Sequence, residues 1–87
     1  MMDKNDFKRE LKRLHLHVPP YYYNIDGKGR DDERYCLIKV NDKWNVYYLE
    51  RGLKTINEFF DSESDGLEYI LDVFKKGERK WLVYDIW

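Results

Sequence analysis

The spacing of apolar positions along this chain switches from helical to alternating and back again. In residues about 3–17, Phe7, Leu11 and Leu14 recur at four- and three-residue intervals, with Lys8, Arg9, Lys12 and Arg13 on other faces. That spacing predicts an amphipathic helix, which Asp3 or Asn5 can cap and Val18-Pro19-Pro20 ends. Tyr21 to Ile25 is rich in strand formers and predicts a short strand at about 21–25. Two further strands, at about 34–40 and 44–50, form a hairpin through Asn41-Asp42-Lys43. With those three residues as the loop, Val40 faces Trp44, Ile38 faces Val46 and Cys36 faces Tyr48. A one-residue slip exchanges every partner, and the pattern does not decide between the two registers.

Glu50 to Lys54 carries turn chemistry, and a strand at about 54–60 follows. Leu67, Ile70, Leu71 and Phe74 then mark a second helix at about 63–76. Ser62 or Ser64 is its expected N-cap and Gly77 its C-cap. From Lys80, alternation predicts a terminal strand at about 80–86, with Trp87 closing the tail. The expected architecture is α+β in a single domain spanning 1–87. It is an antiparallel β-meander of three to five strands with one N-terminal helix and one in the C-terminal half. In either register the sheet has two partly apolar faces. One takes the helices, and the other requires a helix, a subunit or a partner.

Composition narrows the functional classes. Lys and Arg number 16 against 17 Asp and Glu, so the chain lacks the basic footprint expected for direct nucleic-acid binding. The same balance argues against an interfacial membrane helix, and no apolar run approaches a membrane span. Aromatic residues make up 17% of the chain and there is no Ala, so rings must supply much of the core while leaving enough Tyr for a binding face. The polar N-terminal residues carry no leader-type apolar segment, and Cys36 has no intramolecular partner. Both point to a cytoplasmic setting.

Catalytic and metal chemistry find little support. Cys36 lies in the apolar run Tyr35 to Ile38 and reads as a small buried hydrophobe. His15 and His17 are two apart, on different faces of a helix, with no evident third ligand. A small enzyme would have to depend on one of them, and no activity, cofactor or metal is expected. Gly27-x-Gly29 lacks the ending and the following helix of a phosphate loop. The candidate polar residues are instead the loop acids Asp31, Asp32 and Glu33, and Glu50 with Arg51 beside Tyr47 and Tyr48.

One stretch carries a family resemblance. Trp44-x-Val46-Tyr47-Tyr48-x-Glu50-Arg51-Gly52 follows Tyr23 and Arg34 to Leu37, and precedes Phe59, Phe60, Glu63, Leu67 and Tyr69 to Leu71. The series resembles small immunity proteins of bacterial polymorphic toxin systems over roughly residues 10–75. The chain departs from that pattern at Gly66, where a small helix-forming residue is expected, and in the tail Lys80–Trp87. The resemblance implies a cytoplasmic protein that binds one cognate toxin domain and occludes its active site. Asp31, Asp32 and Glu33 would then face a basic groove such as a nuclease offers, with Tyr47, Tyr48, Glu50 and Arg51 as a second patch. The competing expectation is a self-associating structural or regulatory domain without a toxin partner, a homodimer paired through its apolar second sheet face or its terminal strand Trp81–Trp87.

Overall fold

The computed structural model describes residues 1–16, 18, 23–29 and 34–76. Helix α1 spans Lys4–Arg13 and helix α2 spans Glu63–Lys76. Between them lie strands β1 (Tyr23–Asn24), β2 (Tyr35–Val40), β3 (Lys43–Glu50) and β4 (Leu53–Phe60). The strands form one sheet in the order β1-β2-β3-β4. The architecture is α+β as the pattern predicts, but the sheet is mixed. β2, β3 and β4 are antiparallel, whereas β1 runs parallel to β2. Of the expected strand at 21–25, Tyr23–Asn24 form β1 and Ile25 turns into the core, while residues 21–22 lie outside the described residues. The expected terminal strand and the Gly77 cap lie outside the described residues.

Local chemistry sets the helix ends. Asp3 caps α1 in a reciprocal box, its carboxylate accepting from Asp6 N while Asp6 accepts from Asp3 N. The helix stops four residues short of the expected end. His15 adopts a left-handed φ of 56°, Leu16 N donates to Leu11 O at 2.9 Å and His15 N to Lys12 O at 3.1 Å. This is the double-bonded C-terminal motif usually built on glycine, and its customary apolar contact is supplied by buried Leu11 and Leu16. Ser62 caps α2 by accepting from Asp65 N at 3.1 Å. Ser64 is buried and accepts from Met2 N at 2.8 Å, which ties the start of the chain to the first turn of α2.

The hairpin register is the slipped alternative. Leu37 faces Val46, Ile38 faces Asn45 and Cys36 faces Tyr47, around a two-residue Asn41-Asp42 turn in which Asn41 has φ 58°. Val40 pairs with Lys43 instead of Trp44. Asn tolerates the left-handed region, so the turn needs no third residue. Opposed residues share a face. Tyr35, Leu37, Trp44, Val46 and Tyr48 therefore lie on the helix side, and Cys36, Ile38, Asn45, Tyr47 and Leu49 on the other.

The core fills the space between the helices and the first face: Phe7 and Leu11 from α1, Leu37 and Val46 from the sheet, and Leu67, Ile70, Leu71 and Phe74 from α2. Aromatic contacts run through it, with Phe7 against Tyr23 at 5.4 Å, Tyr23 against Phe74 at 6.0 Å and Phe74 against Tyr35 at 5.6 Å. Gly66 permits the closest approach. A Cβ there would lie 2.7 Å from Leu37 Cδ1 and 3.5 Å from Val46 Cγ2. Gly66 is therefore where α2 rests on the sheet.

Candidate functional site

The β3–β4 hairpin carries the described candidate residues, and its geometry separates them. Tyr47 and Tyr48 are adjacent in a strand and so project to opposite faces. Tyr48 is half-buried on the helix side, its ring 4.8 Å from that of Tyr35. Tyr47 is 5% exposed on the second face. Glu50 and Arg51 are exposed at the hairpin end, and neither forms an ion pair among the described residues. The expected patch of Tyr47, Tyr48, Glu50 and Arg51 is therefore not one surface. Asp31, Asp32 and Glu33 lie outside the described residues.

The turn at the hairpin end is built for reversal. Arg51 and Gly52 both have positive φ, 53° and 81°, as a tight two-residue hairpin turn requires, and Glu50 pairs with Leu53 across it. Beyond the turn the register shifts: Tyr48 faces Ile56 while Leu49 faces Lys54, which leaves Thr55 as an extra residue in β4. A bulge re-aims the side chains on either side of it. Here it brings Lys54 onto the second face beside Leu49, with its ammonium 4.7 Å above the centre of the Tyr47 ring.

The second face is partly roofed by the connection between β1 and β2. Asn24 Nδ2 donates to Lys28 O, and Lys28 N donates to the Asp26 carboxylate at 2.9 Å. These bonds hold the segment so that Gly29 lies over Tyr47, where a Cβ would meet the phenol oxygen at 2.7 Å. Asn45, only 2% exposed, donates to Asn57 Oδ1 at 2.8 Å and to Glu58 O at 3.0 Å. Cys36 is fully buried on this face. Next to the roofed part, Ile38, Tyr47, Leu49, Gly52 and Lys54 line an open groove of about 380 Å³.

Among the described strands β4 is an outer strand of the sheet, and most of it is exposed. Leu53 is 71% and Phe59 55% exposed, large apolar groups near its two ends. At the Phe59 end, Lys43 and Asp61 form an ion pair that raises the lysine pKa and lowers the carboxyl pKa, chiefly by their hydrogen bond. No family model, curated protein or solved structure matches this chain.

His15 is exposed in its left-handed position, remote in sequence from the hairpin, and His17 lies outside the described residues. Among the described residues, no group of three His, Cys, Asp or Glu side chains is placed to hold a metal. No described helix is long and apolar enough to cross a membrane. Sequence reasoning missed Lys54, Leu53 and Phe59. The period-two pattern signals that Phe59 and Phe60 point to opposite faces, but the bulge that turns Lys54 leaves no mark in it.

Proposed function

We propose that this chain is a cytoplasmic immunity protein that binds a cognate toxin domain and occludes its active site, contacting it mainly through β4 and the hairpin end. The observation that carries this reading is the exposure of Leu53 and Phe59 on an outer strand. They are six residues apart in the strand, and the bulge puts Leu53 on the face of Glu50 and Phe59 on the face of Asn45, so a partner reaching both would wrap around the β4 edge. Exposed apolar groups within a charged rim are the usual anchors of a protein interface. Glu50 and Arg51, without ion pairs among the described residues, supply charge at one end of that surface. The family resemblance supplies the class of partner. The resemblance assigns Asp31, Asp32 and Glu33 to a basic toxin groove; reversing their charge is expected to slow association, and an unchanged rate would remove them from the contact.

Growth protection tests the reading. Where an adjacent reading frame encodes a toxic domain, co-expression of the native chain with that domain is expected to restore growth. Leu53→Asp combined with Phe59→Asp is expected to abolish protection while leaving the fold intact. Full protection by the double variant would remove β4 from the interface. A chain that protects against no such domain and purifies as a stable homodimer would favour self-association.

A further inference from the structure

We infer that the groove on the second sheet face receives, from a protein partner, an apolar side chain next to a carboxylate. The inference rests on the partner-binding reading and deepens it by naming the chemistry of the contacting segment. Ile38, Leu49 and the Tyr47 ring make the walls apolar, and Gly52 leaves open space at the turn end. Among the described residues, the one charged group lining the groove is Lys54, whose ammonium lies against the Tyr47 ring and has no carboxylate partner among those residues. Arg51, at the adjoining turn, adds a second cation without an ion pair among those residues.

An ammonium held on a ring face is oriented but not neutralised, so it still attracts an anion at its open side. An apolar occupant alone would leave Lys54 partly desolvated without compensation, whereas a carboxylate beside the apolar group satisfies it. Val40 and Phe59 continue the same face toward the other end of the sheet, where Lys43 is already paired with Asp61. Charge complementarity thus selects the Lys54 end for the acidic group and the Phe59 end for an apolar one.

The test uses the full chain and two capped dipeptides, Trp-Glu and its neutral counterpart Trp-Gln, followed by amide NMR titration. Trp-Glu is expected to shift Ile38, Leu49, Gly52 and Lys54 saturably, and Trp-Gln to bind about tenfold or more weakly, as loss of a charge-assisted bond implies. Lys54→Gln should erase the difference between the dipeptides and Lys54→Arg should keep it. Equal response to both dipeptides, a preference that survives Lys54→Gln, or shifts confined to another surface would overturn the inference. None of these outcomes bears on whether β4 binds a toxin domain, which growth protection decides separately.

Discussion

Leu37 Cδ1 lies 2.7 Å from where a Cβ on Gly66 would stand, so the sheet and α2 meet with no room for a methyl group. Leu37 is itself buried and backed by Val46, and it has little freedom to withdraw. Gly66→Ala gains about 1 kcal/mol of helix propensity but overpacks the core by about 1–3 kcal/mol. The expected net effect is destabilisation, read as a lower urea midpoint at unchanged slope. A midpoint that rises would show that α2 can move off the sheet.

His15 gives the opposite sign. Its φ of 56° suits glycine better than a residue with a Cβ, and its side chain is exposed. His15→Gly is expected to raise stability by about 0.5–1 kcal/mol, measured in the same denaturation experiment.

Asn45 and Asn57 should differ although they share a hydrogen bond. Asn45 is buried and also bonds Glu58 O, so Asn45→Ala should cost about 1–3 kcal/mol. Asn57 is exposed and its loss leaves the carbonyl bond in place, so Asn57→Ala should cost about 0.5–1.5 kcal/mol. Equal losses would mean that the carbonyl bond contributes nothing.

Alkaline pH should destabilise the chain through its rings. Burial raises the pKa values of Tyr23, Tyr35 and Tyr69 above their ordinary 10.0, with Tyr48 and Tyr69 adding to the shift at Tyr35 and Glu58 adding at Tyr69. The folded chain therefore holds phenol protons that the unfolded chain releases. Their contribution to stability is complete below pH 10.0 and is lost as pH rises through the raised folded-state values. Phenolate absorbance should develop in two stages, the later one coinciding with loss of circular dichroism, and Tyr35→Phe should lessen the pH dependence. A single stage with the fold intact would contradict the burial of these rings.

Much of the fold was legible because its signals are local. The α2 stripe from Leu67 to Phe74, the Ser62 and Asp3 caps and the strand boundaries of the hairpin all follow from spacing and turn chemistry. The hairpin register was not, because Cys36, Leu37 and Ile38 are consecutive and apolar, leaving no polar face to choose between alternatives. The parallel pairing of β1 depends on a long-range contact of two residues, below what a pattern can carry. The candidate site was read less well. Grouping Tyr47 with Tyr48 overlooked that strand neighbours point apart, and Lys54 reaches Tyr47 only through the bulge at Thr55.

The central claim is that β4 presents a partner-binding surface, and comparative affinity capture tests it most directly. Tagged native chain and the Leu53→Asp, Phe59→Asp variant would be expressed in the native host, washed at high salt and analysed by mass spectrometry. Both positions are exposed, so the substitutions should alter stability by no more than about 0.5 kcal/mol. The account predicts one stoichiometric partner with a toxin-like domain on the native chain and its loss from the variant. The same partner on both baits, or the native chain recovered alone, would contradict it.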